Sequence, residues 1–554
     1  MTGLLAQATV QTPQIPWGAI SPELVLFGAG ILVLLLETAG RDRLPASVVA
    51  FLVLAGAGGG GIALAGATQP AIAIGGLVIL AGVAQLALVV LWRHRPRVLS
   101  AILAALGLVA TLGVTGWQWL TISDGGLLSV ASVLGDMVAV DGVALFTRVI
   151  VCVSALLSIP LGWAYLEQRR IHRGEYYPLL LFAATGMNLL ASSADLIMVF
   201  ISIEILSLSL YILCGFAKRD LSSQEAAFKY FLLGAFSSAV LLYGVALCYG
   251  LAGTTNIAAV GSAVASLEAP STLSVAAMGF LLVGFGFKTA LVPFHMWTPD
   301  VYQGAPTPVT GFMAAATKAA AFAAFVRVFV VGFWALACSW IPVIWTLAVI
   351  TMLVGAVLAV VQTDLKRMLG YSAVAHAGYV LIGLVSANRS GISGTLFYLL
   401  VYAVMSVGSF GVLALLERRG GKLVALDDLR GLGRSAPVPA ALFALFLLSL
   451  AGIPGTAGFM AKFAVFRAGL QAGQTVLVVV AVISSMIAAF FYVRVIVAMF
   501  MDEAPEGVAV ESDGELVSVG VRTGLVLAGL AVVLLGVVPD IVVKLAQRAA
   551  TLAG

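Results

Sequence analysis

The sequence predicts an all-α membrane protein that crosses the bilayer about sixteen times. Of its 554 residues, 62% are hydrophobic and only 10% are charged, and the mean hydropathy is +1.11, far outside the composition of soluble domains. Apolar runs of about 20 residues, the length that spans a bilayer, follow one another with short polar breaks. A net charge of +4 does not call for a nucleic-acid partner, because membrane topology accounts for the basic residues.

The spans are taken in chain order from these apolar runs. The opening 19 residues lack a basic cluster, so they do not resemble a signal peptide. The predicted spans are residues 20–39, 46–66, 71–92, 98–120, 141–166, 177–193, 195–216, 224–250, 273–295, 306–332, 341–361, 370–387, 393–417, 438–470, 475–501 and 522–544.

The charges between the spans predict the orientation. With the N terminus outside, most of the 29 Lys and Arg residues fall in inner loops, as cytoplasmic loops of membrane proteins require. Only Arg389, Lys544 and Arg548 fall in outer loops or at the C terminus. We therefore expect both termini to face the outside.

Nothing in the sequence indicates a cofactor or metal site. Cys152, Cys214, Cys248 and Cys338 stand singly in apolar segments, without CxxC spacing or a partnering histidine. The glycine-rich "GAGGGG" lies inside an apolar run, where close helix packing explains it. We expect neither a metal nor a cofactor in this chain.

Basic residues inside the predicted spans are the candidates for function. A Lys or Arg at the bilayer centre costs about 2.5–3.5 kcal/mol even on the lenient insertion scale, so it persists only beside protein, water or a counter-charge. The basic residues inside the predicted spans are Arg148, Lys229, Lys288, Lys318, Arg327, Lys462, Arg467 and Arg494. Those near helix ends can instead extend to the interface, and the four arginines are expected to act mainly as anchors or structural pairs.

Depth singles out three lysines and one glutamate. Lys318 lies about 18 Å into a hydrocarbon core of about 30 Å, and Glu204 lies about 14 Å from the outer edge. Lys288 and Lys462 flank helix breaks near mid-membrane. Burial disfavours a charged lysine while a nearby carboxylate favours it, which suits proton transfer. The alternative is a set of buried ion pairs that only fixes helix packing.

Three further residues extend the candidate set. Lys229 lies within reach of the inner surface, so it either anchors its helix or joins the path. His376, in "YSAVAHAGYV", and His295 titrate near neutrality. Each histidine either continues the proton path or packs as an ordinary hydrogen-bonded residue.

Two spans are interrupted, and each interruption keeps one of the deep lysines. "GFGFKTALVPFHMWTPDVYQGAPTPVTG" holds Lys288 and "SLAGIPGTAGFMAKF" holds Lys462. Proline removes a helix hydrogen bond, and broken helices are tolerated only inside protein or around water. Counted in units of five spans, residues 177–332 and 341–501 each carry the break in their fourth span. This order predicts two inverted five-helix repeats, each with a broken helix.

The region 141–501 resembles the antiporter-like membrane subunits of respiratory complex I, the proton-pumping NADH:quinone oxidoreductase. The strings that carry the likeness are "FISIEILSLSLYIL", "AAFKYFLLGAFSSAVLLYG", "GFKTALVPFHMWTPDVYQGAPTPVTGFMAAATKAA", "DLKRMLGYSAVAHAGY" and "GIPGTAGFMAKF".

The resemblance implies a role for each deep residue. Glu204 and Lys288 would form the coupling pair on the fifth and seventh of the family's fourteen helices. Lys229 would sit on the sixth, Lys318 on the eighth and Lys462 on the twelfth, and His376 would extend their chain of proton transfer.

The resemblance also implies partners and location. The chain would be a proton-translocating, non-redox subunit of a hetero-oligomer in the bacterial cytoplasmic membrane. FMN, iron-sulfur clusters and quinone would be held by other membrane and peripheral subunits. Two alternatives remain open, a subunit of a stand-alone cation/proton antiporter and a structural membrane scaffold.

The sequence departs from the family pattern before Asp141. Family members have two spans there, whereas this chain offers four, so residues 1–140 are expected to include a two-helix addition. Residues 141–176 would form the family's third helix with a basic inner loop. Residues 502–554 would form an acidic inner loop and a C-terminal helix.

Overall fold

The structure, a computed structural model, describes residues 17–38, 96–123, 131–417, 425–503 and 519–552. In these residues twelve helices are long and apolar enough to cross a membrane, and two shorter apolar helices join them. The predicted fold class, an all-α polytopic membrane protein, is confirmed. The count of sixteen spans is not confirmed, and the predicted spans 46–66 and 71–92 lie outside the described residues.

The described elements before the second half of the bundle are nearly all helical. They are α1 (Trp17–Thr38), α2 (Pro96–Ser123), β1 (Ala131–Val133), β2 (Val138–Val140), α3 (Gly142–Gln168), α4 (Tyr176–Ala191), α5 (Leu196–Cys214), α6 (Leu221–Ala252), α7 (Ile257–Ala265), α8 (Thr272–Thr289), α9 (Trp297–Gly304), α10 (Thr307–Phe312), a π-helical turn (Met313–Thr317), α11 (Lys318–Arg327), a second π-helical turn (Val328–Gly332) and a 3₁₀ turn (Trp334–Leu336). The two short strands pair antiparallel.

The remaining described elements repeat the pattern of long helices with one break. They are α12 (Ala337–Val360), α13 (Leu365–Ser386), α14 (Arg389–Leu416), a 3₁₀ turn (Leu426–Leu429), α15 (Leu432–Ser435), α16 (Pro437–Ala451), α17 (Ala457–Gln471), α18 (Thr475–Phe500), α19 (Val519–Val537) and α20 (Asp540–Leu552).

Short polar residues start the long helices. Asp141 accepts a hydrogen bond from the Ala144 amide at 2.9 Å, and Asp364 accepts one from the Arg367 amide at 2.8 Å. Such N-caps satisfy amides that have no partner inside the helix. The apolar runs therefore become helices whose ends are fixed by the polar residues between them.

The two ends of the bundle can be named from their contacts. Gln118, near the end of α2, donates to the Gly18 carbonyl at 2.8 Å, and Gly142, which starts α3, packs against Ala549 of α20. The end that carries these residues is called the termini end. The opposite end, where α3 finishes and α6 and α13 begin, carries Arg169 and Lys366 and is called the basic end.

Both predicted breaks are present, and they change the predicted span limits. Residues 273–295 do not form one helix, because α8 ends at Thr289 and Ala290 adopts a left-handed backbone with φ of 63°. Residues 438–470 form α16 and α17, separated at Gly452 with φ of 86°. Proline and left-handed residues stop the helical hydrogen-bond pattern at both places.

The C-terminal span is shorter than predicted. Residues 522–544 were expected as one span, but α19 ends at Val537 and α20 begins at Asp540. Pro539 between them lacks the amide that a continuous helix requires. Sequence patterning also gave no sign of the short helix Ile257–Ala265.

Buried ion pairs join the helices near the termini end. The Arg327 guanidinium contacts both carboxylate oxygens of Asp141, at 2.6 and 2.9 Å. Fully buried Arg148 pairs with Glu23 and donates to Gln118 at 2.8 Å. These arginines therefore have structural partners, in line with the role expected for them.

Candidate functional site

Lys288 lies at the end of α8, immediately before the first break. Its side chain is buried, and its Nζ donates to the Ser207 hydroxyl at 2.6 Å. The rings of Tyr211 and Tyr230 lie 5.8 and 5.5 Å from Nζ, measured to their centroids. A hydroxyl and two aromatic faces therefore surround a cation deep in the bundle.

Glu204 lies one turn before Ser207 on α5. No ion pair of 4.0 Å or less joins it to Lys288. Its Oε1 is buried and has no hydrogen-bond partner among the described residues. The side chain is half-buried, and Ile201 and Leu208 beside it are exposed. The expected coupling pair is therefore close but separated, with Ser207 holding the amine.

The freed backbone groups at the first break have partners. The Trp297 indole donates to the Phe287 carbonyl at 3.0 Å, and the Val292 amide donates to the Thr351 hydroxyl at 3.0 Å. These contacts satisfy groups that water cannot reach at membrane depth.

Lys318 begins α11, directly after a π-helical turn. Its buried amine donates to the Ala373 carbonyl of α13 and lies 5.5 Å from the centroid of the Tyr402 ring. π-Helical turns often occur at functional sites, and this one was not predicted from the sequence.

His376 is held between two tyrosine hydroxyls. Its Nδ1 lies 2.7 Å from the Tyr398 hydroxyl and its Nε2 lies 3.3 Å from the Tyr492 hydroxyl. The Tyr492 hydroxyl also contacts Ser372. A neutral imidazole has one donor and one acceptor nitrogen, and a hydroxyl can serve either, so a proton can leave or reach the ring on both sides.

Lys462 lies on α17, just after the second break. Its buried amine donates to the Ala451 carbonyl at 2.8 Å and to the Ser485 hydroxyl at 2.7 Å. The Tyr379 ring centroid lies 5.0 Å from Nζ, and the Tyr379 hydroxyl lies 3.0 Å from that of Ser484.

Aromatic rings connect the three residues of the second half. The His376 ring lies 5.0 Å from Tyr402 and 5.6 Å from Tyr379, between centroids. Tyr402 is also next to Lys318 and Tyr379 is next to Lys462. The structure therefore brings Lys318, His376 and Lys462 into one group, in which a tyrosine ring lies between the histidine and each lysine. Glu204 and Lys288 form a second group with no described contact to the first.

Lys229 lies apart from both groups. Its side chain is 39% exposed near the basic end and pairs with Glu225 at 2.6 Å and with Asp300 at 2.8 Å. Asp300 also contacts Arg367 of α13, so this cluster links α6, α9 and α13. His295 lies in the first break, with its ring 6.4 Å from that of Tyr371.

Sequence reasoning missed the hydroxyl groups of the site. Ser207, Tyr398, Tyr492 and Ser485 each contact a predicted ionisable residue, yet buried Ser and Tyr are common in membrane helices and carry no motif. Of the residues that the structure describes, no group of three or more His, Cys, Asp or Glu could hold a metal ion. The chemistry available here is acid–base transfer among amines, imidazole, carboxylate and hydroxyls.

Comparison with known proteins places this fold and site in a class. The family model described as "NADH:quinone oxidoreductase/Mrp antiporter, TM" matches residues 193–488, which include every predicted site residue. The class is therefore that of antiporter-like transmembrane subunits. The predicted family resemblance is confirmed.

Relatives over the full length narrow the class. "NADH-quinone oxidoreductase subunit N" of Rhodococcus opacus (strain B4) is 43% identical over 99% of this chain and 98% of its own length. The protein of the same name from Parafrankia sp. (strain EAN1pec) is 44% identical over the same shares. The chain belongs to the NADH-quinone oxidoreductase subunit N family. The strings "KYFLLGAFSS" and "YSAVAHAGY" and the lysine of the last broken helix also favour subunit N.

Solved structures agree with this assignment. A chain of "Respiratory complex I from Thermus thermophilus with bound Aureothin" matches with a TM-score of 0.67 and 35% identity, covering 84% of this chain and 97% of that one. A chain of the "Mrp complex from Dietzia sp. DQ12-45-1b" matches with a TM-score of 0.72 at 24% identity, covering 85% and 96%. The second likeness shows the shared fold alone.

Proposed function

We propose that this chain translocates protons across the bacterial cytoplasmic membrane as the subunit N of a proton-pumping NADH:quinone oxidoreductase. The observation that carries the proposal is the buried group formed by Lys318, His376 and Lys462. Ionisable side chains at membrane depth are costly, and they are typically retained where they serve a proton or ion pathway. Here each of the three lies within reach of a hydroxyl or an aromatic ring.

The proposed mechanism begins at the separated pair of Glu204 and Lys288. When the carboxylate approaches the amine, attraction keeps the lysine charged; when the two separate, the proton moves toward Lys318. The described geometry, with Ser207 on the amine and Glu204 beyond ion-pair distance, corresponds to the separated state. From Lys318 the proton would pass by way of His376 and its tyrosine hydroxyls to Lys462.

Lys229 has a separate place in this proposal. Lys229 of α6 pairs with Asp300 of α9, and Asp300 also contacts Arg367 of α13. The charge of Lys229 is therefore linked to the second half of the bundle at the basic end. We therefore propose that Lys229 tunes proton transfer from the surface of the bundle.

The redox chemistry is assigned to partner subunits. This chain is proposed to act as a non-redox translocase subunit, and FMN, iron-sulfur clusters and quinone are expected in other membrane and peripheral subunits. The full-length relatives favour this assembly over a stand-alone cation/proton antiporter. Sodium-driven exchange without quinone reduction would favour the antiporter instead.

Both termini are proposed to face the outside. The contacts of Gln118 with Gly18 and of Gly142 with Ala549 support a shared end for the first and last described helices, and the loop charges place the basic end inside. α1 and α2 pack against each other and against α3 and α4, and a two-helix addition somewhere within residues 1–140 stays a prediction. The division into repeats 177–332 and 341–501 stays a prediction.

The experiment that tests the function replaces Lys288 by methionine in the assembled complex. Lys288→Met keeps the length of the side chain but removes its charge, so proton pumping in membrane vesicles is expected to fall by about 100-fold, the scale of a lost proton-transfer group. Lys544→Met, at an exposed position of α20, is the matched control and keeps normal pumping. Undiminished translocation in the Lys288 variant rejects the assignment.

Neutralising all three deep lysines tests the scaffold alternative. A variant with Lys288, Lys318 and Lys462 replaced by methionine is expected to assemble without pumping protons. Normal assembly together with a normal ratio of protons to NADH would favour a purely structural chain.

A further inference from the structure

A second buried charge cluster lies at the basic end, outside the groups described above. Glu417 follows α14, and Lys366 lies in the first turn of α13; both are buried. Lys366 Nζ lies 3.3 Å from Glu417 Oε1 and donates to the Ala305 carbonyl at 2.8 Å. The Thr307 hydroxyl also donates to Glu417 Oε1. One carboxylate oxygen of Glu417 is therefore fully engaged.

The other oxygen of Glu417 makes an ion pair but no hydrogen bond. Oε2 is buried and has no hydrogen-bond partner among the described residues, and the Arg169 guanidinium lies 3.6 Å from it. A buried carboxylate oxygen without a hydrogen-bond donor is costly. This oxygen therefore has a free position for a proton or for a hydrogen-bond donor from outside the chain.

A small cleft of about 20 Å³ lies beside this carboxylate. The titratable groups that line it with Glu417 are Tyr165 and Arg169 at the end of α3, Asp220 before α6 and Lys366 of α13. Its rim includes exposed Ser222. The cleft has room for about one water, so water from the basic end can reach the buried carboxylate.

A polar stripe on α14 leads from Glu417 toward the central group. Tyr398, Tyr402, Ser406 and Ser409 are separated by four, four and three residues, spacings that place these four on one helical face. Glu417 follows the end of the helix, eight residues or about 12 Å beyond Ser409. Tyr402 lies next to Lys318 and Tyr398 next to His376. One helix therefore joins the basic-end carboxylate to two residues of the central group.

Two hydroxyls between these points have no described partner. Ser409 Oγ on the stripe is buried without a hydrogen bond, and so is Thr317 Oγ1, on the π-helical turn before Lys318. α10 and this turn pack directly against α14. A fully packed structural seam would satisfy such groups, whereas a path for water and protons requires them to be available.

We propose that Glu417 is the proton-loading residue of this chain on the inner side and that the α14 stripe passes its protons to Lys318. The carboxylate takes a proton from a hydronium ion in the cleft, which becomes water, and forms an Oε2–H bond. It then releases that proton along hydroxyls and water, and the neutral Lys318 amine becomes an ammonium. Once the proton has left, Arg169 and Lys366 lie beside the carboxylate as counter-charges. This inference rests on the proposed function and on the predicted orientation.

The test uses Glu417→Gln in the assembled complex in inside-out vesicles. Proton pumping is expected to fall by about tenfold or more when the medium at the basic end is alkaline, because capture of scarce protons then limits the rate. At acidic pH on that side the loss should become small. Glu417→Asp should restore part of the rate. Asp427→Asn, at a 74% exposed carboxylate of the same end, is the control and should keep the normal pH profile.

Ser409→Ala keeps the test decisive if the glutamine variant fails to assemble. It removes a hydroxyl that makes no described hydrogen bond, so assembly is expected to be normal while pumping slows at alkaline pH. A normal pH profile in both Glu417→Gln and Ser409→Ala overturns the proposal.

Lys318→Met separates this proposal from the proposed function. If Lys318→Met abolishes pumping while Glu417→Gln and Ser409→Ala both pump normally, only the proton-loading role fails. If Lys318→Met and Glu417→Gln both pump normally, the central path itself is wrong.

Discussion

The two broken helices place their lysines in opposite relations to the break. Lys288 precedes the first break, where the Trp297 indole takes the freed Phe287 carbonyl and the amine turns to Ser207. Lys462 follows the second break, where its own amine takes the freed Ala451 carbonyl. At the first break the backbone is therefore satisfied without the lysine, and at the second the lysine is the nearer of two donors, with the Ser485 hydroxyl at 3.4 Å.

This difference gives the two lysines different freedom to move. Lys288 can change its interaction with Glu204 while the break stays hydrogen-bonded, which suits a residue that responds to a moving counter-charge. If Lys462 gives up its Ala451 contact, the carbonyl keeps only the Ser485 hydroxyl at 3.4 Å, a cost of about 0.5–1.5 kcal/mol. We infer that the first break is built for switching and the second for holding one amine in place.

The largest expected effect comes from the second break. Gly452 has φ of 86°, and a Cβ there would lie 2.9 Å from Lys462 Cδ. Gly452→Ala is expected to cost about 1–3 kcal/mol from backbone strain and to displace the Lys462 amine from Ala451. Heat inactivation of the complex measures the first effect, and proton pumping measures the second.

Gly455 is the matched control. Its φ is 87°, but nothing lies within 4 Å of its added Cβ. Gly455→Ala should lower heat stability to a similar degree without slowing pumping. Equal losses of pumping in both variants would show that strain alone is responsible, and that Lys462 is not held by this contact.

An intermediate effect is expected at the first break. Trp297→Phe keeps an aromatic ring beside Tyr230 but leaves the Phe287 carbonyl with only the Ala290 amide, at 3.1 Å, as a donor, which costs about 0.5–1.5 kcal/mol. Trp340→Phe is the control, because the buried Trp340 indole likewise donates to a carbonyl, that of Phe333, at 2.9 Å. Both variants should lose stability in heat inactivation. Only Trp297→Phe should also slow pumping, and equal pumping in the two would remove the special role of the first break.

The smallest effects concern the hydroxyls on the two amines. Ser207→Ala removes the one described hydrogen bond of Lys288, whereas Ser485→Ala leaves Lys462 bonded to Ala451. A typical hydrogen bond contributes about 0.5–1.5 kcal/mol net, so Ser207→Ala should slow pumping by a few-fold and Ser485→Ala by less. Pumping rates at saturating NADH measure both. A larger loss at Ser485 would reverse the assignment of switching and holding breaks.

Much of the fold follows from the sequence because hydrophobic run length and helix-breaking residues act locally. The long helices and both breaks were predicted from apolar runs, prolines and glycines. The depth of Lys288, Lys318 and Lys462 followed from the same runs, and all three are buried.

The partners of those residues could not be predicted, because they come from distant parts of the chain. Tyr492 reaches His376 from 116 residues away, and Asp300 reaches Lys229 from 71 residues away. Residue depth does not reveal which helix lies next to which. The position of Lys229 near the bundle surface and the hydroxyls around His376 therefore appear only in the folded chain.

The π-helical turn Met313–Thr317 lets the segment before Lys318 tolerate the loss of one residue. Such a turn holds an additional residue compared with a regular helical turn. Deleting any one alanine there would restore a regular helix, and the segments on either side would keep nearly the same rotation about the helix axis. Lys318 would still face the Ala373 carbonyl, whereas a deletion inside α11 would rotate one side against the other by about 100°. Natural length variation near Lys318 should therefore be found at this turn and be excluded from α11.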